Sequence, residues 1–268
     1  MSISISGSSY VNSAATQSLA SSSEALASGS RINSAADDAA GLQISNRLTS
    51  EIDGSAQSFA NGMSGISVTQ TIDGALSGIT NDVQALRELA LQSGNGIYTA
   101  NDRQALQKQA DELMANIQNT IDNTNFAGQS LLTQDGQMDF QVGTQGADIV
   151  GVTTYNLNNS LGASGLTGIN ISDPATLGAA LDAIDTTLNN LGTMQAETGA
   201  TQNAFSSRVD ALLQGQEAAS ASRSRITDTD FAAAVSEQII SRIQEQSSLT
   251  VQAQANVDSK RALSLLTS

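Results

Sequence analysis

The sequence predicts a mainly α fold, an elongated antiparallel coiled-coil helical bundle with a small β-hairpin region. Three observations carry this. Apolar residues recur in steps of four and three over two long stretches. The first is Ile44, Leu48, Ile52, Ala56, Phe59, Met63, Ile66, Ile72, Leu76, Ile79, Val83, Leu86 and Ala90; the second is Leu177, Leu181, Ile184, Leu188, Leu191, Phe205, Val209 and Leu212. That spacing lines one face of a helix. Between the two stretches the period switches to two, the signature of a hairpin. Aromatic residues make up only 3 % of the chain and tryptophan is absent. A large globular interior is hard to build from that, so narrow seams of Ala, Leu and Ile between paired helices are the alternative.

Residues 1–30 are dominated by serine, with Tyr10, Val11, Ala14, Ala15, Leu19 and Leu26 as a thin apolar stripe. Such a stripe buries too little alone to offset the entropy of ordering it, so the segment is expected to be helical only when packed. Residues 31–43 read as a connector. Asp37 and Asp38 lie within it, and helix capping and solvation are the favoured roles over a paired-carboxylate site. Residues 44–124 hold the first rod, which at 1.5 Å per residue runs roughly 70 Å from Ile44 to Leu91. Gly62, Gly65, Gly74 and Gly78 sit inside it. Each costs up to about 1 kcal/mol against alanine. Close approach of neighbouring helices is the favoured reason for them, and a kinked or broken rod is the other. Ser93-Gly94-Asn95-Gly96 is a turn signal. After it, Asn101 or Asp102 caps an antiparallel helix carrying Leu106, Ala110, Leu113, Ile117 and Ile121.

Residues 125–173 form the hairpin and loop region. Met138, Phe140 and Val142 alternate, Gly143 to Asp148 turns, and Ile149 to Tyr155 has strand character. Asn156 to Asp173, rich in Asn, Gly and Ser, reads as loop. Its Gly162, Gly165 and Gly168 lack the lysine and the strand–helix context of a phosphate loop. Residues 174–222 open with Pro174, placed in the first helical turn. They carry the second rod, whose register continues through Gln195, Thr198 and Gln202. Residues 223–230 form a second connector. In 231–268, Phe231, Val235, Ile239, Ile243, Leu249, Val257, Leu263 and Leu266 give a last amphipathic helix. Chain order is symmetrical, so the two terminal helices are expected side by side.

The net charge of −15 is uneven, with no Lys or Arg between Lys108 and Arg208. Such a chain repels nucleic acid and anionic membranes, and neither is an expected partner. Cysteine and histidine are both absent. Disulfides, Cys/His zinc sites and the usual nucleophilic and acid–base constellations go with them. No enzyme, metal or cofactor is predicted, although Asp37, Asp38, Asp228 and Asp230 are the carboxylates an acid–base reading would use. No run resembles a secretory signal or a bilayer span, so an extracellular location requires export without a cleavable signal peptide.

Several runs resemble bacterial flagellins. They are Arg31-Ile-Asn-Ser-Ala-Ala-Asp-Asp-Ala-Ala-Gly41, Gly65-Ile-Ser-Val-Thr-Gln-Thr-Ile-Asp-Gly-Ala-Leu76, Leu86-Arg-Glu-Leu-Ala-Leu-Gln-Ser93, Asn125-Phe-Ala-Gly-Gln-Ser-Leu-Leu132, Gly199-Ala-Thr-Gln-Asn-Ala-Phe205, Ser224-Arg-Ile-Thr-Asp-Thr-Asp-Phe231 and Gln252-Ala-Gln-Ala-Asn256. The resemblance implies a short flagellin with a minimal outer domain, which polymerises into the flagellar filament for motility. It also implies that 1–30 and 231–268 form an inner coiled coil on assembly and that 44–222 forms the rod domain around it. Leu19, Leu26, Phe231, Val235, Ile239, Ile243, Leu263 and Leu266 are then the self-assembly residues, and Ile52, Phe59, Leu76, Leu188 and Phe205 the rod core.

Implied partners are other copies of the chain, a flagellar export chaperone on the C-terminal segment, a filament cap protein and hook-associated junction proteins, with passage through the flagellar type III export channel. The family's Toll-like receptor epitope aligns with Leu89, but Ala85 stands at its arginine position and Gln109 at its acidic one, which implies weakened recognition. A hook–filament junction protein of the same family and a secreted adhesin or host-signalling ligand are the alternatives.

Overall fold

The computed structural model describes the backbone of residues 6–266 and the side chains of 14–255, 257 and 258. It is mainly helical. In chain order come α1 (Ser6–Ser28), α2 (Ala39–Ser93), α3 (Ala100–Asn123), β1 (Asn125–Phe126), β2 (Gln129–Ser130), β3 (Gly136–Gln141), β4 (Ile149–Thr154), α4 (Leu157–Ala163), a 3₁₀ turn at Leu166–Gly168, α5 (Leu177–Thr227) and α6 (Phe231–Leu266). The chain divides into two compact units: residues 1–52 with 217–268, and residues 53–216.

The second unit holds the apolar core. On the α2 side, Val68, Ile72, Leu76, Ile79, Val83, Leu86 and Ala90 are buried; α3 adds Leu106, Ala110, Ile117 and Ile121; α5 adds Ala180, Ile184, Leu191 and Phe205. The α2 and α5 helices run antiparallel here, since Gly65 faces Phe205 and Arg87 pairs with Asp185 further along. Glycine is what permits this approach. A Cβ at Gly62 would stand 2.8 Å from Val209 Cγ2, and one at Gly65 would overlap the Phe205 ring. At Gly74 and Gly78 a Cβ would meet nothing. Close approach therefore accounts for the first pair of glycines and not for the second, and α2 runs through all four unbroken.

The β3–β4 hairpin is antiparallel, in register from Gly136↔Thr154 to Gln141↔Ile149. Its inner face supplies Val142 and Val152 to the core, and Phe140 meets Phe205 edge-on at 5.7 Å and 84°. At its far end the Tyr155 hydroxyl donates to Glu197 Oε2 (3.1 Å) and Thr153 Oγ1 donates to Glu197 Oε1 (3.0 Å), tying the strand to α5. Burial and the neighbouring Glu197 carboxylate push the Tyr155 hydroxyl up to about 12.

Three local expectations need correction. Residues 156–173 are not simply loop. Asn156 caps α4 by accepting the Asn159 N–H at 3.1 Å, and Leu157, Leu161 and Leu166 are buried beneath it. An apolar pair one turn apart outweighs the surrounding Asn and Gly. The cap of α3 is Thr99, neither Asn101 nor Asp102. Its hydroxyl accepts the Asp102 N–H while the Asp102 carboxylate accepts the Thr99 N–H at 2.9 Å, a reciprocal capping box. Pro174 lies in the turn before α5, whose helix begins at Leu177.

In the first unit the two connectors pair. Ser30 bridges Asp228, the Arg31 N–H donates to Thr227 O at 2.6 Å, and the Thr229 N–H donates to Gly29 O at 3.0 Å. Gly29 takes φ +71°, the left-handed region that ends a helix most readily at glycine. Arg31 Nη2 donates to Ile226 O (2.7 Å), and Arg223 Nη1 donates to Thr49 Oγ1 (3.3 Å).

Candidate functional site

The connector carboxylates are occupied as structural acceptors. Asp37 Oδ2 accepts the main-chain N–H groups of Ser34 (2.8 Å) and Asn33 (3.0 Å) and the Ser34 hydroxyl. Those hydrogen bonds, the Ser34 main chain first, hold its carboxyl below the ordinary value. Asp38 Oδ1 accepts the Gly41 N–H at 2.8 Å, and Asp230 Oδ1 caps α6 through Ala232 and Ala233. Asp228 accepts from the Ser224 hydroxyl. They lie at helix ends, bound to their own main chain or neighbouring side chains. Among the described residues, none of the His, Cys, Asp and Glu groupings could hold a metal ion, and no helix is long and apolar enough to cross a membrane.

The two faces of the terminal helices α1 and α6 differ sharply in polarity. These two helices pack along each other in the first unit. The α6 residues withdrawn from solvent are Ala234, Gln238, Ser241, Glu245, Ser248, Gln252 and Ala255. Their spacing is four, three, four, three, four, three. That is an uninterrupted heptad seam, and every member is polar or small. On α1 the matching positions are Ala15, Ser18, Ser22 and Ala25, with Leu19 and Leu26 half-buried at the flank. Hydrogen bonds cross the seam: Ser18 and Ser241 share one, Oγ to Oγ, at 3.0 Å, and Gln238 Nε2 donates to Ser23 Oγ at 3.0 Å.

The large apolar side chains of α6 face the other way. Phe231 (55 % exposed), Val235 (42 %), Ile239 (52 %) and Ile243 (58 %) are all open to solvent, and so are Leu249 and Val257. Counted at about 100° per residue, these six span roughly a third of the helix circumference. Ile240 and Val251, absent from the sequence-based set, are also exposed and widen the stripe. A signal for them existed in Ile239-Ile240, since two adjacent large aliphatics exceed what a narrow seam needs. The side chains of Leu263 and Leu266 lie outside the described residues.

Of the residues assigned to the rod, Leu76 and Phe205 are fully buried, and Leu188 is half-buried against the core. Ile52 and Phe59 are half-buried. Ala85 and Leu89 are half-buried on α2, Leu89 against the core, while Gln109 is exposed on α3. Beside them Arg87 Nε donates to Asp185 Oδ1 at 2.8 Å, the one salt bridge among the described residues.

Residues 4–137 match the family described as the bacterial flagellin N-terminal helical region, and residues 181–266 match the bacterial flagellin C-terminal helical region. The chain is 34 % identical over 244 residues to a flagellin of Halalkalibacterium halodurans, covering 91 % of this chain and 90 % of that one. It is 32 % identical over 266 residues to the flagellar filament 33 kDa core protein of Treponema phagedenis, with the same coverage. Among solved structures, it is similar to the flagellin of Bacillus cereus, with a TM-score of 0.52 and 26 % identity over 57 % of this chain and 88 % of that one.

Proposed function

This chain belongs to the bacterial flagellin family as a structural subunit of the extracellular flagellar filament, and we propose that its copies join through the outward apolar stripe of α6. The observation that carries the proposal is the inversion of the terminal pair. Within one chain α6 turns a polar and small-residue heptad toward α1 and leaves Phe231, Val235, Ile239 and Ile243 in water. Fully burying a large apolar side chain is worth about 1.5–3 kcal/mol, so the main stabilisation available to this helix lies in a second copy.

On this reading Leu19, Leu26, Phe231, Val235, Ile239, Ile243, Leu263 and Leu266 are the assembly residues. Segments 1–30 and 231–268 make the inner wall of the filament, and the rod, with Ile52, Phe59, Leu76, Leu188 and Phe205 at its core, surrounds it. A chain that buries its last helix only in the polymer needs a chaperone on that helix before export through the flagellar channel. It also needs a cap protein to guide insertion and junction proteins at the hook. Innate receptor recognition is weakened, because Ala85 and Gln109 carry no charge where the family's epitope carries two. The reading includes no catalytic role.

The test is seeded growth. Ile239→Asp with Ile243→Asp abolishes elongation of filament seeds under electron microscopy while leaving the circular dichroism of the single chain unchanged. Removing 231–268 leaves a helical monomer that does not polymerise. Normal filaments from either protein overturn the assignment. For the receptor, full potency in a reporter-cell assay at matched monomer concentration overturns weakened recognition.

A further inference from the structure

The sequence contains two Asn-Gly dipeptides, Asn61-Gly62 and Asn95-Gly96. The fold places them in opposite chemical environments. Asn61-Gly62 lies inside α2, where the Gly62 N–H belongs to the helix ladder and Gly62 is buried against Val209. The Asn61 amide is held at both atoms: Nδ2 donates to Gln141 O at 3.0 Å and Oδ1 accepts from Gln57 Nε2 at 3.1 Å. Asn95-Gly96 lies in the exposed turn between α2 and α3. Its Asn95 Oδ1 accepts the Ile97 N–H at 3.2 Å, which folds the amide back over the main chain that follows. Among the described residues neither the Gly96 N–H nor Asn95 Nδ2 has a hydrogen-bond partner, and nothing stands within 4 Å of where a Gly96 Cβ would be.

We propose that Asn95 is a site of spontaneous main-chain modification, converting to aspartate and isoaspartate in the folded protein while Asn61 keeps its amide. The Gly96 nitrogen gives its proton to solvent base and attacks Asn95 Cγ. A bond forms between that nitrogen and Cγ, the bond from Cγ to the amide nitrogen breaks, and ammonia leaves with a proton taken from water. The resulting five-membered imide is opened by water at one of its two carbonyls. One opening returns a normal aspartate; the other leaves an isoaspartate, whose main chain is longer by one methylene. Redox chemistry plays no part, and water is the sole co-reactant. Glycine after the asparagine leaves the attacking nitrogen unshielded by a side chain. At Asn61 the same attack first requires α2 to open locally and Gly62 to leave its packing.

Either product adds a negative charge to a turn that holds the start of α3. The isoaspartate also displaces the Asn95 carbonyl, which accepts the Tyr98 N–H at 3.1 Å. Tyr98 in turn supplies its carbonyl to Arg103 Nη1 (2.7 Å) and its hydroxyl to Gln92 Nε2 (2.8 Å), so the modification reaches both helices that meet there.

The full-length folded protein, held in mildly alkaline buffer, is sampled over time by proteolysis and peptide mass spectrometry. Isoaspartate is read separately by enzymatic methyl transfer from S-adenosylmethionine. Asn95 is expected to convert at least about ten-fold faster than Asn61, and the two rates to converge in denaturant, where the helix no longer protects Asn61. Gly96→Ala, which fits the open space at that position, slows Asn95 and leaves Asn61 unchanged. Equal rates in the folded protein overturn the proposal, as does an Asn95 that keeps its amide when folded and loses it when denatured.

Discussion

The glycines of α2 offer a test in which the same substitution should change sign along one helix. Gly74→Ala and Gly78→Ala place a methyl group where nothing lies within 4 Å, so each should gain the helical preference of alanine alone, about 0.8–1.0 kcal/mol. Gly65→Ala brings the same preference but drives its methyl into the Phe205 ring. That ring has nowhere to go. It is fully buried and its other side meets Phe140 edge-on at 5.7 Å. Overpacking of this kind costs about 1–3 kcal/mol, so Gly65→Ala should destabilise by about 1 kcal/mol net.

A second change isolates the contact. Phe205→Leu shortens the ring's reach, and in that background Gly65→Ala should become neutral or stabilising. The coupling between the two positions is then on the order of 1–2 kcal/mol. Urea unfolding followed by circular dichroism measures each step. A Gly65→Ala protein as stabilised as Gly74→Ala would refute the view that close helix approach is what Gly65 provides.

Three further outcomes follow from the same geometry. The Tyr155 hydroxyl titrates at about 12 rather than its ordinary 10.0, so its contribution is complete below about pH 10 and is lost as pH rises toward 12; Tyr155→Phe should flatten that part of an alkaline unfolding curve. Arg87 and Asp185 are 44 % and 51 % exposed at the side chain, so breaking their bridge with Arg87→Ala should shift urea stability by less than about 1 kcal/mol. With a net charge of −15, filament elongation from seeds should quicken between low salt and physiological ionic strength, where the screening length falls to about 8 Å; light scattering that is flat across that range would contradict it.

The seams differ in how openly the sequence displays them. Along α5, Leu177, Leu181, Ile184, Leu188, Leu191, Gln195, Thr198, Gln202, Phe205, Val209 and Leu212 are all buried or half-buried, because large apolar residues mark enough of the register to carry the polar ones. In the first half of α2 the apolar positions mislead. Ile44, Ala56 and Met63 are exposed, whereas Gly41, Ser45, Ser55, Ser58, Gly62 and Gly65 are buried. The inward face there is made of residues small enough for backbones to approach, and these carry no hydrophobic signal. On α6 the separation is complete, since Ala234, Gln238, Ser241, Glu245, Ser248, Gln252 and Ala255 keep heptad spacing without one large aliphatic among them. Hydrophobic periodicity finds the face a helix wants to bury, which is the inner face only when the partner belongs to the same chain.

That distinction fixes where the stability of the terminal pair comes from. A neutral hydrogen bond such as Ser18 to Ser241 contributes about 0.5–1.5 kcal/mol net, while fixing the backbone of each residue costs about 1–2 kcal/mol. A seam of serine, glutamine and alanine cannot offset that cost over a helix of 36 residues by itself. Its polar groups instead fix the register of α1 on α6 through specific partners, Ser18 with Ser241 and Ser23 with Gln238. Phe231, Val235, Ile239 and Ile243 stand exposed on the opposite side, so their burial adds nothing within one chain, and on the proposed assembly a second copy supplies it. On that proposal mass action links the order of this pair to the concentration of subunits, and amide exchange along α6 should be slower in the filament than in the single chain.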